Sequence, residues 1–233
     1  MSTYCISNIY GDYEGYATML RKIKFCDRDM LYVIGNIIDK GNESLKILRD
    51  MMMRINVIPI IGSHEYMAVQ CLKYLMKCKE HPDEYPDEAM SRLILDWQYA
   101  GGQSTIDEFH KLNKEEQEDI IDYLEEFSLY EEINVKGRDY ILVHGGFDNF
   151  DPERDPEDYH IDEVVFAVPD YSRIYFKDKT LLTAGELCSS IKNNPVPDRI
   201  YKQNNHIAIN CGGGNNLAAI CLDNMKEYYL TGQ

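Results

Sequence analysis

Short apolar runs alternate with longer runs of helical period over the first quarter of the chain. Residues 3–9 (TYCISNI), 30–36 (MLYVIGN) and 57–63 (VIPIIGS) are β-branched and apolar, and each closes near a Gly or a small polar residue, which predicts buried strands. Between them, residues 15–25 (GYATMLRKIKF) and 44–55 (SLKILRDMMMRI) repeat apolar positions at three and four, as on a helix lying against a sheet. The pattern predicts a βαβαβ beginning with a largely parallel sheet. From about 65 to 130 it turns helical: EYMAVQCLKYLMKCKE, a Pro-containing break at 81–88 (HPDEYPDE), AMSRLILDWQYAGG and NKEEQEDIIDYLEEF. No low-complexity linker flanks this stretch, so 65–130 is expected to be a helical insertion within one domain spanning 1–233. Strand-like segments return at EEINVKG, YILVHGG (140–146), RIYFKDKTLLTAG (173–185), HIAINCG, LAAICLD and EYYL, with no internal repeat.

Composition bounds the function class. With 233 residues, 44% of them hydrophobic, the chain can bury one sizeable core. It has no long apolar run, and MSTYCISNIYG offers neither a basic n-region nor an apolar h-region, so a cytoplasmic protein without a membrane span is expected. Seven irregularly spaced cysteines without a CxxC pair read as reduced apolar fillers. The net charge of −16 argues against nucleic acid or an anionic membrane as partner and leaves a protein or a small ligand, unidentified. Acids concentrate at 112–132 and 151–163, which read as solvated faces or loops.

Working residues of an open α/β sheet sit in the loops beyond the carboxyl ends of the strands. Those loops gather Asn8, Tyr10, Asp12, Asn36, Asp39, Lys40, Ser63, His64, Glu65, His144 and Asn149 into one expected cleft. One or two histidines among mostly neutral partners make a poor divalent-metal site. His206, before the glycine-rich GGGNN, reads as structural, and Trp97 and Tyr99 read as packing the helices or lining the cleft mouth.

The series SNIYGDYEG, LYVIGNIIDKG, VIPIIGSHE, YILVHGG and TLLTAGE resembles, in order and spacing, the motif series of the phosphoprotein phosphatases within the metallophosphoesterases, especially the bacterial and phage-type serine/threonine phosphatases. The resemblance covers nearly the whole chain and implies an α/β fold, a metallophosphoesterase-like β-sandwich flanked by helices (αββα). In that family GDxHG, GDxxDRG, GNHE, HxG and GH supply a two-metal centre that activates water against a phosphate ester. By this resemblance, Asn8 and Tyr10 stand where the first motif offers Asp and His, Asn36 where an Asp bridges the metals, Ser63 where an Asn ligates, and Gly185 where a His does. His144 alone keeps its family residue. Lys40 replaces one phosphate-clamping arginine and Val168 another. Asp39 and His64 survive as the acid/base pair near the leaving group.

Asn8 and Asn36 would remove crowded carboxylates that cost free energy without metal. The resulting expectation is a pseudophosphatase: a binding or regulatory module needing no cofactor. The alternatives are a working phosphoesterase using Mn or Mg at an atypical site, or a structural or assembly subunit.

Overall fold

The computed structural model describes residues 1–81, 87–214 and 216–230. The Pro-containing break at 81–88 and the GGGNN turn therefore lie partly outside the described residues.

Two mixed five-stranded sheets stack face to face. In the first, β1 (Thr3–Ile6), β2 (Met30–Ile34) and β3 (Val57–Ile60) run parallel, as the βαβαβ pattern requires, and β9 (Ala218–Cys221) and β10 (Lys226–Tyr229) extend it antiparallel in the order β10-β9-β1-β2-β3. The second has the order β4-β5-β6-β8-β7, built from β4 (Tyr130–Val135), β5 (Arg138–Val143), β6 (Lys179–Thr183), β7 (Tyr201–Gln203) and β8 (His206–Ala208).

Side-chain alternation decides which layer each residue joins. In β5, Tyr140 and Leu142 enter the core between the sheets with Cys5, Ile34, Ile60, Leu182 and Ile220, whereas Ile141 and Val143 face outward. There they meet Phe147, Tyr159, Val164 and Tyr175. On the far side of the first sheet, Tyr4, Ile6, Leu31 and Val33 pack under α1 (Tyr13–Ile23) and α2 (Ser44–Met52), through Tyr16, Met19, Ile47 and Leu48. The same core takes Leu72, Trp97, Phe109 and Ile121 from α3 (Ser63–Glu80), α4 (Glu88–Trp97), α5 (Gln103–Phe109) and α6 (Lys114–Glu125). The αββα layering expected for the fold is present.

Several elements differ from the pattern-based expectation. Of 173–185 only Lys179–Thr183 is strand; Tyr175 and Phe176 before it join an aromatic cluster with Phe147 and Phe150. The acidic stretch at 151–163 runs into α7 (Ile161–Val165), whose buried Val164 and Val165 anchor it. Cys26 is exposed rather than a core filler. Among the described residues, no helix is long and apolar enough to cross a membrane.

Candidate active site

The loops after β1 and β2 continue the strand pairing past the sheet: Asn8, Tyr10 and Gly11 N–H donate to the carbonyls of Gly35, Asn36 and Ile37 at 3.1, 3.0 and 2.8 Å. To do so the backbone takes left-handed φ at Asn8 (56°), Tyr10 (51°), Asn36 (54°), Asp39 (75°) and Lys40 (61°). Such conformations cost of order 1–3 kcal/mol each outside glycine and cluster at functional sites. Gly35 explains part of the economy of this turn: at φ 64° a Cβ would sit 2.5 Å from the Cα of Gly62 and 2.6 Å from Nδ1 of His144. Three loops therefore meet where a side chain would keep them apart.

Glu65, the first acid of α3, locks this meeting point. Its carboxylate is fully buried and accepts four backbone N–H groups, from Asn36 (2.8 Å), Ile37 (2.7 Å), Ile38 (3.2 Å) and Gly62 (3.0 Å). Glu65 is thus committed to the backbone, a correction to its expected place among cleft groups. Asp12 and Asn149 are corrected too, since Asp12 caps α1 through the N–H of Gly15 and Asn149 is exposed and bonded to Asp148.

Two clusters remain, three residues apart on one turn. In the first, the Asp39 carboxylate is inaccessible and fully engaged. Its Oδ2 receives His64 Nδ1 and Trp97 Nε1, both at 2.7 Å, and its Oδ1 receives Thr105 Oγ1 at 2.6 Å. A carboxylate surrounded by donors accepts a hydrogen bond from the Nδ1–H of the imidazole and leaves Nε2 as the ring nitrogen not bonded to Asp39. Trp97 and Thr105 were invisible to motif reading: they lie 58 and 66 residues from Asp39. Trp97 therefore does more than pack helices, while Tyr99 is 91% exposed.

The second cluster is neutral. Asn36 Nδ2 donates to Asn8 Oδ1 (2.9 Å) and to the Tyr10 hydroxyl (3.1 Å), and Asn36 Oδ1 accepts from Ser63 Oγ at 3.3 Å. Asn8 Nδ2 in turn donates to Ser7 Oγ and to the Ala184 carbonyl, each at 2.9 Å. Burial raises the Tyr10 phenol above its ordinary range, keeping it protonated. His144 donates from Nδ1 to the Ile34 carbonyl at 3.1 Å, and burial pushes its pKa down to about 4. A Cβ on Gly185 would lie 3.8 Å from His144 Nε2, so Gly185 adjoins the imidazole as the motif order implies. The structure thus brings Asn8, Tyr10, Asn36, Ser63, His144 and Gly185 to one place. Lys40 holds its ammonium 3.4 Å from the centroid of the Tyr10 ring, and burial lowers its pKa. Val168 is 72% exposed and makes no contact that would clamp an anion.

His206 is structural: buried on β8, bonded through Nε2 to Thr183 Oγ1 at 2.9 Å and stacked on Tyr171 at 4.5 Å, with a pKa pushed down to about 3 by burial. The glycine turn that follows abuts the neutral cluster, since a Cβ on Gly213 would fall 2.4 Å from the Asn8 carbonyl oxygen.

With the geometry in view, comparison with known proteins fixes the class. The family model of calcineurin-like phosphoesterases matches residues 1–213, and the chain belongs to that family. Symmetrical bis(5′-nucleosyl)-tetraphosphatases are among its relatives: that of Buchnera aphidicola (strain 5A) is 29% identical over 116 residues, 48% of this chain and 42% of that protein. The one from Wigglesworthia glossinidia brevipalpis is 33% identical over 82 residues, 34% of this chain and 30% of that protein. The matches thus span less than half of these relatives' length. Among solved structures, a candidate diadenosine tetraphosphatase superposes with a TM-score of 0.63 at 15% identity, covering 99% of this chain and 93% of that one. A serine/threonine phosphatase from Saccharomyces cerevisiae gives 0.58 at 13% identity, covering 95% and 72%. At such identities these two show the fold alone.

Family membership corrects the expectation of no cofactor, because calcineurin-like phosphoesterases are metal-dependent; it also gives no support to the leaning against catalysis. The residues present nonetheless do not fit a resident two-metal centre. Amide oxygens, a hydroxyl, a phenol and one imidazole stand at the centre, and among the described residues no three His, Cys, Asp or Glu side chains are grouped to hold an ion. Such donors suit a hard cation only when further oxygens complete its shell.

Proposed function

We propose that this chain is a metal-dependent phosphoric ester or anhydride hydrolase whose substrate is a metal-complexed phosphate compound of the nucleoside polyphosphate class. The observation that carries the reading is the buried Asp39–His64 pair, 2.7 Å apart, at the end of a strand in a calcineurin-like phosphoesterase. A divalent ion bound by polyphosphate would supply charge neutralisation at the phosphoryl group. The chain's own residues do the rest. In the hydrolysis a water oxygen bonds to phosphorus as the bond from phosphorus to the leaving oxygen breaks. Asp39, fixed by Trp97 and Thr105, orients the His64 ring, the protonated ring gives its Nε2 proton to the leaving oxygen and regains one from the water, and Lys40 supplies positive charge. The names of the tetraphosphatase relatives support the substrate class. A phosphoprotein phosphatase activity, implied by the motif resemblance, is the competing substrate choice within the same chemistry.

A second reading is favoured by one observation, the closed amide network of Asn8, Asn36 and Tyr10. Neutral groups already satisfied by one another make a cleft that holds a phosphorylated ligand or partner and turns it over poorly, a pseudophosphatase. Purified protein titrated with Mn²⁺ and Mg²⁺ and assayed on bis(5′-adenosyl) tetraphosphate, an aryl phosphate and a phosphoserine peptide separates the two. Metal-stimulated release of ADP from the tetraphosphate is the expected result; saturable binding of the same compounds with no release would select the second reading.

A further inference from the structure

The loops that leave the parallel neighbours β5 and β6 start in contact at the candidate site: the N–H groups of Ala184 and Gly185 both donate to the His144 carbonyl, at 2.9 and 2.7 Å. Beyond that contact they separate. The first loop returns along 168–172, the second runs along 186–193, and between them lies a crevice of about 440 Å³. That size is usual for a small-molecule site, and the carboxyl ends of neighbouring strands are where open α/β sheets hold ligands. On one wall Pro169 packs on Gly146, where a Cβ would fall 2.8 Å from the Pro169 Cγ; on the other, Glu186 directly follows Gly185. Both walls are therefore joined to the residues that flank the His144 imidazole.

The crevice is formed before a ligand arrives. Tyr171 stacks on His206 at 4.5 Å, and its carbonyl accepts from Tyr201 Oη and Asn204 Nδ2 at 3.0 and 2.9 Å. Across from it the Cys188 N–H donates to the Asn210 carbonyl at 2.8 Å, and Asn194 Nδ2 donates to the Cys188 carbonyl at 2.7 Å. Pro169, Tyr171 and Ile191 are the buried, apolar members of the lining. The rim carries charge of both signs. Asp170 is taken up by the N–H and the hydroxyl of Ser172, at 2.9 and 2.6 Å, whereas Glu186 and Lys192 make no hydrogen bond or ion pair among the described residues. Two acids against one base disfavour a phosphate inside the crevice, so its occupant is the uncharged part of a ligand. An alkyl chain would leave Glu186 and Lys192 without a partner, and a sugar would leave the apolar lining uncovered. A heterocyclic base meets both demands, with its faces on the apolar lining and its edge offering a donor to Glu186 and an acceptor to Lys192. We infer that this crevice is a nucleoside subsite, taking the base of a nucleoside phosphate whose phosphate lies at the His144 end. The inference rests on the phosphoryl-ligand reading above and deepens it, because it selects nucleoside phosphates over phosphates without a base.

The test compares AMP with ribose 5-phosphate, which share the phosphate and sugar and differ in the base, by calorimetric titration of the full chain in Mn²⁺. The wild type is expected to prefer AMP by about tenfold. Ser190→Trp and Val168→Trp place a bulky ring in the crevice from one loop and from the other, at exposed positions that leave the core intact. Each should bring AMP to the ribose 5-phosphate level and leave ribose 5-phosphate binding unchanged. Equal affinities in the wild type, or a preference that survives in either folded variant, would overturn the subsite while leaving phosphate recognition standing. Binding of neither compound by the wild type would overturn the phosphoryl-ligand reading and this inference with it.

Discussion

Asn36 and Asp39 share one turn, and their surroundings have diverged. Around Asp39 an anion is buried at zero exposure and each carboxylate oxygen is met by a donor from a distant element. Around Asn36 the side chains are neutral and satisfy one another. A buried charge stripped of one partner costs several kcal/mol, whereas a neutral network loses about one hydrogen bond at a time. The difference teaches that the Asp39 side is held by a buried charge with three donors, and the Asn36 side by neutral amides that substitution can retune without stranding a charge.

The largest effect should follow from removing the anion. Asp39→Ala leaves His64, Trp97 and Thr105 without their common acceptor and is expected to lower unfolding free energy by about 3–5 kcal/mol in urea titrations, against about 1–3 kcal/mol for Asn36→Ala. Equal losses would dissolve the contrast. Next in size is the reverse change on the neutral side. Asn8→Asp, Tyr10→His, Asn36→Asp, Ser63→Asn and Gly185→His together should create an apo protein of lower stability that Mn²⁺ restores, by about 2.7 kcal/mol at a hundredfold excess over Kd. Asn36→Asp alone should destabilise, as an uncompensated charge. A fivefold variant that folds without responding to Mn²⁺ in thermal unfolding would show that these positions do not surround one site.

Trp97→Phe isolates a single donor to Asp39; loss of a hydrogen bond to a charged group predicts about 1.5–3 kcal/mol. The chain has one tryptophan, so its unfolding is followed by circular dichroism. An effect graded by pH concerns the buried histidines. The pKa values of His144 and His206 are depressed to about 4 and about 3, so below the ordinary value of 6.5 the unfolded chain binds protons that the folded chain refuses. Their contribution is intact above pH 6.5 and is lost as pH falls toward 4 for His144 and toward 3 for His206, with a slope of up to about 1.4 kcal/mol per pH unit for each. His206→Gln should therefore flatten the acid limb of the stability profile; an unchanged limb would mean that other groups set it.

Much of the fold was legible because burial on both faces forces continuous apolar runs in β1, β2, β3 and β5, and because α1 and α2 show their packing face as a 3.6-residue period. The three-residue β7 has no signature in the pattern, being too short to show an alternation, and the two turns of α5 are not resolved as a separate helix within the helical stretch 65–130. The placement of Asn8, Tyr10, Asn36, Ser63 and His144 follows from strand ends, and that of Gly185 from the motif resemblance alone. Trp97 and Thr105 did not, because a hydrogen bond formed across nearly sixty residues or more has no local signature. Glu65 falls beside the strand-end residues in sequence, but from the first turn of α3 its side chain turns to the backbone of the loop after β2.

The most direct test of the central claim is the initial rate of ADP release from bis(5′-adenosyl) tetraphosphate by the wild type and by His64→Asn, each with Mn²⁺. If His64, oriented by Asp39, protonates the leaving group, the wild type turns over above the metal-only background and the variant falls by about 10²-fold or more. A wild-type rate at background, or a rate that His64→Asn leaves intact, would contradict the account.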